Sequence, residues 1–142
     1  MESMRTLASV SIGTLVRLWA FPYTLLGVVV GLVLLGRPKL VDGVIEIYGP
    51  GVAWVLQRLP VSALAITLGH SVLGQTQAAL DLTRRHERVH VRQFERWGFL
   101  MGLAYLGASG WLWWRGKDAY RDNPFEIEAY AVDDCRRNPG RD

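Results

Sequence analysis

The sequence predicts an α+β fold: a small β-sheet or hairpin packed on several helices, with an apolar helix ahead of them. Three observations predict it. Asp42-Gly43 stands between Val- and Ile-rich stretches, the signal of a tight hairpin. The apolar run Val61 to Leu73 reads as one buried strand. From Gln75 to Trp97 the apolar residues recur at helical spacing instead. The chain has 142 residues, room for one sizeable core. It is 50% hydrophobic and 20% charged, below the ~25% charge of ordinary soluble domains. Disorder, a coiled-coil rod and a collagen-like chain are excluded on that ground. A net charge of +3, from 16 Lys and Arg against 13 Asp and Glu, is too balanced for a dedicated nucleic-acid binder, so no nucleic-acid partner is expected. The single cysteine, Cys135, excludes a disulfide framework.

The elements follow in chain order. Leu18 to Gly36 is a charge-free run of about 19 residues, close to the ~20 that span hydrocarbon. Gly27 and Gly31 form a G-x-x-x-G, a close-packing pattern of membrane helices. Residues 1–37 are therefore read as an N-terminal hydrophobic helix and membrane anchor, with a Gly-rich core helix as the alternative. Pro22 weakens the first turn. Arg5 and Arg17 before the run, and Arg37 and Lys39 after it, are too even to orient it. Val52 to Leu59 is a short helix stopped by Pro60. A helix over 75–97 ends at Gly98, a second covers about 99–115, and a loop runs to Pro124. The second helix carries the run Phe99 to Trp114, short for a span, which fits a core or an interfacial helix. Asn123 and Pro124 cap a last helix over 125–137. Residues 38–137 form the folded domain, and 138–142 a frayed tail.

One motif carries chemistry. His86-Glu87-Arg88-Val89-His90 is H-E-x-x-H, and two His at i and i+4 share one helix face, so both rings reach one metal ion. Glu87 beside them is placed to polarise a water molecule. At 100° per residue, one arc of this helix collects Leu80, Leu82, Thr83, His86, Glu87, Val89, His90, Val91, Gln93, Phe94 and Trp97. The opposite arc collects Asp81, Arg84, Arg85, Arg88, Arg92, Glu95 and Arg96. The motif thus sits mid-way along the buried arc, where an unpaired Glu87 would be costly. The arginine arc makes a basic outer face, either solvated or resting on anionic lipid. A hydrogen-bonded core His pair is the bland alternative.

A catalytic zinc needs a third protein ligand and an open position. Glu126 and Glu128 are the acids of the first two turns of the last helix, about 200° apart, so they cannot both face inward. Glu126 shares its face with Ala129, Tyr130 and Asp133 and is preferred, with Glu128 as substitute and Cys135 a weaker choice. Helix-dipole acids are the competing account of both.

His86, Glu87, His90 and Glu126-x-x-Ala129-Tyr130 together resemble the zincin metallopeptidases whose third ligand is a glutamate. The segments R-R-H-E-R-V-H-V-R-Q-F-E-R-W-G and Y-R-D-N-P-F-E-I-E-A-Y are similar to small bacterial membrane-associated proteins of that type. The resemblance spans about residues 61–135. It implies His86, His90 and Glu126 as zinc ligands, Glu87 as general base and a peptide or protein as substrate. It also implies an edge strand lining the cleft, in the place of Ala65 to His70. Three features depart from that pattern. Arg84, Arg88 and Arg92 stand where uncharged residues are usual. Tyr130 replaces an Asp or Asn that would orient a ligand His, a task Asp133 can take. The chain is short for a full substrate cleft. Tyr130 or His70 would steady an oxyanion. The reading is a zinc-dependent, membrane-associated metallopeptidase-like hydrolase of the bacterial cytoplasmic membrane. The alternative is a non-catalytic metal-binding scaffold at the membrane. A di-iron bundle would want a second E-x-x-H, which the sequence lacks. A membrane-spanning helix over 99–114 would put His90 and Glu126 on opposite sides, so that segment is expected in the core or at the interface.

Overall fold

The computed structural model describes the backbone of residues 2–137 and the side chains of residues 14–134. Cys135's side chain and the 138–142 tail lie outside the described residues. The fold is α+β. Its elements are α1 (Glu2–Val33), β1 (Arg37–Val41), β2 (Val44–Tyr48), α2 (Pro50–Leu56), β3 (Ala65–Leu68), β4 (Ser71–Gly74), α3 (Gln77–Trp97), α4 (Leu100–Trp114) and α5 (Pro124–Arg137). The four strands form one mixed sheet in the order β1-β2-β4-β3. β1 and β2 are the hairpin around Asp42-Gly43, both residues at positive φ (48° and 78°) as such a tight turn requires. β2 runs parallel to β4, with Ile45 opposite Ser71.

The expected single strand over 61–73 is instead two antiparallel strands, β3 and β4, joined at Gly69 and His70. Gly69 takes φ 62°, and Thr24 and the Ala20 carbonyl press where a side chain would start. A two-residue reversal inside an apolar stretch has no polar loop to mark it. His70 therefore sits in a turn and not on a cleft-lining strand.

The sheet is covered on both faces, and strand alternation decides which residue meets which layer. Ile47 and Leu73 face α1 and α2 in one cluster, with Val52, Leu56, Val28 and Ile66 around them. Val44, Val72 and Ala65 face α3, packed with Leu80 and Val91. Each large aliphatic side chain fully buried this way contributes about 1.5–3 kcal/mol. A third cluster, Ala20 with Phe94 and Met101, joins α1, α3 and α4.

Thr14–Val33 is long and apolar enough to cross a membrane. Yet α1 is not set apart from the domain. A Cβ on Gly27 would collide with Ser71, and one on Gly31 would lie 2.7 Å from Ile47. The G-x-x-x-G therefore presses α1 onto the chain's own sheet. Its other face leaves Leu18, Phe21, Leu25 and Val29 about half exposed. Pro22 is accommodated within this helix of 32 residues. α4 buries only Met101, while Leu103, Leu106 and Trp113 are exposed.

Candidate metal centre

α3 begins at Thr76, whose hydroxyl accepts from the Ala79 amide, and its apolar arc is turned inward as expected. His86, Glu87, Val89, His90, Val91, Gln93 and Phe94 are buried. Leu82 and Trp97 of the same arc are 71% and 41% exposed, Trp97 with its ring edge on Phe125 of α5. α5 starts where Asn123, fully buried, accepts from the Phe125 amide at 3.0 Å and donates to Ser109 Oγ at 2.8 Å. That cap fixes the first turn of α5, and Glu126 follows on the side facing α3. Ala129 is fully buried on the same helix, one turn on.

The two helices bring His86, His90 and Glu126 together. The two imidazole Nε2 atoms are 3.2 Å apart. Glu126 Oε2 lies 3.3 Å from His86 Nε2, and Oε1 lies 3.5 Å from His90 Nε2. Zinc bonds of about 2.0–2.1 Å at tetrahedral angles separate ligand atoms by about 3.3 Å. The donor set and its spacing fit a zinc ion. So does the state of Glu126 Oε2, which is buried without a hydrogen-bond partner, a condition that favours a cation beside it. Burial alone would raise the Glu126 carboxyl, but the adjacent imidazoles of His86 and His90 and the Tyr105 hydroxyl hold it well below the usual range.

Each donor is oriented from behind. Gln93, fully buried, donates to the Phe125 carbonyl at 3.0 Å and to Glu128 at 2.8 Å. Its amide oxygen therefore faces His90 Nδ1, at 2.8 Å, so Nδ1 carries the proton and the Nε2 lone pair points into the cluster. Asp133 Oδ2 lies 3.4 Å from His86 Nδ1. Tyr105, reaching in from α4, donates to Glu126 Oε1 at 2.7 Å. Glu87 stands beside the cluster with its carboxylate on Thr67 Oγ1 of β3, at 2.7 Å. Burial pushes the Glu87 carboxyl above its ordinary range, against the pull of His90 and Thr67.

The remaining expected residues fall elsewhere or at the rim. Tyr130 packs its ring on His86, centroids 4.6 Å apart, and turns its hydroxyl to Tyr120 at 3.2 Å. Glu128 does not reach the cluster; it holds Gln93 and an exposed Arg96. His70 is not brought to it either. Its backbone N–H is held by Thr24 and its ring by Glu95 at 2.9 Å, on another flank of α3. Of the arginines expected to point outward, Arg84 turns instead onto buried Glu46 of β2 in a two-pronged pair at 2.8 and 2.9 Å. Arg88 donates to the Val41 carbonyl. Both move inward because a buried strand carboxylate and the Val41 carbonyl of the hairpin lie beside α3. Gln93, Tyr105 and Thr67 are the partners that sequence reasoning missed. Only Gln93 left a signal, an amide on a buried arc that must find partners. Compared with protein-family models, with curated proteins and with solved structures, the chain finds no match.

Proposed function

We propose that this chain is a zinc-dependent, membrane-associated hydrolase of the zincin metallopeptidase kind. The observation that carries the reading is the convergence of His86, His90 and Glu126 at zinc-ligand spacing, with one buried Glu126 oxygen unpartnered. Zinc held there would supply Lewis acidity that makes water acidic near neutral pH. Everything else is done by the chain's own groups. Gln93 and Asp133 keep the two imidazoles aimed, and Tyr105 keeps Glu126 turned inward. Glu87 takes a proton from water as water adds to a peptide carbonyl, then returns it to the leaving amine. Its raised affinity for protons suits both halves of that shuttle. Thr67 holds the carboxyl in place from β3, an edge strand of the sheet. Tyr130, beside His86 and 42% exposed, is the nearer of the two oxyanion candidates; His70 takes no part. The exposed apolar faces of α1 and α4, which meet where Trp19 packs on Phe99, rest on lipid.

Glu87→Gln tests the reading. Zinc-loaded wild type should cleave an unfolded protein substrate, and the variant should keep its zinc and lose cleavage. Equal zinc and equal absence of cleavage in both would favour a non-catalytic metal-binding scaffold.

A further inference from the structure

A second site lies on the flank of α3 away from the metal centre, and its argument is independent of zinc. Arg88, Val91, Arg92 and Glu95 share that flank, whereas His86, His90 and Gln93 face α5. Between the flank, the β1–β2 hairpin and α1 is a cleft of about 320 Å³, walled by Arg17, Arg88 and Arg92 together with Asp42, His70 and Glu95. This is at the small end of ligand-sized cavities, roughly 300–1,000 Å³. Its acids are partly spoken for: Glu95 holds His70 at 2.9 Å. Arg88 is engaged by the Val41 carbonyl. Arg17 and Arg92 have no ion-pair partner among the described residues.

Beside the cleft is a second cavity of about 210 Å³ that shares Arg17, Gly43 and His70 with it. The remaining walls of this slot are Phe21, Thr24, Leu40 and Ile45. Phe21 is 52% exposed and Leu40 72% exposed, so the slot opens onto apolar surface. Arg17 stands at the junction, within the Thr14–Val33 segment that is apolar enough for a membrane. Guanidinium groups match phosphate oxygens two at a time. A phosphate at the arginine end with hydrocarbon along the slot is an anionic amphiphile.

We propose that this paired cavity binds one anionic phospholipid, its headgroup phosphate between Arg17 and Arg92 and the start of an acyl chain against Phe21, Leu40 and Ile45. A free phosphate would share only the first half of that chemistry. A lipid follows because the charged cleft and the apolar slot adjoin, sharing Arg17, Gly43 and His70 as walls.

The test is native mass spectrometry of the full chain in neutral detergent micelles doped with phosphatidylglycerol or phosphatidylcholine, with inorganic phosphate as competitor. Wild type should retain one phosphatidylglycerol in preference to phosphatidylcholine, and millimolar phosphate should not displace it. Arg17→Gln with Arg92→Gln should cut retention about tenfold, while Arg121→Gln, an exposed arginine outside the cavity, should leave it unchanged. Zinc content should be the same in all of them, which separates this site from the metal centre. The proposal is overturned if Arg121→Gln lowers retention as much as the double variant. It is also overturned if phosphate displaces the lipid, or if the two lipids are held equally.

Discussion

Two carboxylates are buried against α3, and they are answered in opposite ways. Glu46 of β2 is 2% exposed and Glu126 of α5 is 3% exposed. Glu46 receives both prongs of the Arg84 guanidinium, with a second guanidinium, that of Arg88, 3.8 Å away. Glu126 receives a tyrosine hydroxyl on one oxygen; the other accepts no hydrogen bond and has only the His86 imidazole nitrogen beside it, at 3.3 Å. Its neighbours are imidazoles whose lone pairs can turn toward a cation. Desolvating a carboxylate is expensive, and a fixed guanidinium offsets it within the chain. At Glu126 no guanidinium is supplied, and on the proposed reading an ion from outside would provide the offset. The comparison suggests a way to tell a structural buried acid from a candidate ligand: by what remains unpaired once the chain has folded.

The predictions test that contrast. The largest effect is expected from Glu87→Gln, which removes the proton shuttle and should lower hydrolysis about 10²–10⁴-fold at unchanged zinc content. A hydrolysis rate within a few-fold of wild type would remove Glu87 from the chemistry. Next come the residues that hold the candidate ligand side chains from behind. Gln93→Leu should weaken zinc binding about 10–100-fold, read by competition with a chelator, and Tyr105→Phe toward the lower end of that range. Glu46→Gln should do the reverse of both. It should destabilise the fold by about 2–3 kcal/mol in urea unfolding, below the usual penalty for breaking a buried pair because Arg84 keeps Asp81 at its side. Its folded fraction should bind zinc normally. If zinc is lost with Glu46→Gln, the two carboxylates are not separate systems. The smallest effect is expected from Arg96→Gln, whose 3.4 Å pair with Glu128 is exposed at both ends. Stability should change by less than about 1 kcal/mol, and zinc not at all.

What could be read in advance follows the range over which each signal acts. The motif on α3 was legible because His86, Glu87 and His90 lie within two turns of one helix, where spacing alone sets geometry. Angle around α5 showed only that Glu126 and Glu128 could not both face inward; the preference for Glu126 came from Ala129, Tyr130 and Asp133 sharing its face. The hairpin at Asp42-Gly43 announced itself through residues that tolerate positive φ. The turn at Gly69-His70 did not, because apolar residues flank it on both sides. Gly27 and Gly31 show a signal whose sense was clear and whose partner was not. Small residues mark close approach, but they do not say whether a membrane helix or the chain's own sheet approaches. The pairing of Glu46 with Arg84, and of Tyr105 with Glu126, joins residues far apart in sequence, and no local pattern encodes such a meeting.

The central claim is that Glu126 is left unpaired for a metal. It is tested most directly by zinc content of the purified full chain, measured by elemental mass spectrometry beside His86→Ala and Glu126→Ala. The account predicts about one zinc per chain in the wild type and a marked loss in both variants. No zinc in the wild type after reconstitution, or zinc retained in Glu126→Ala, would contradict it.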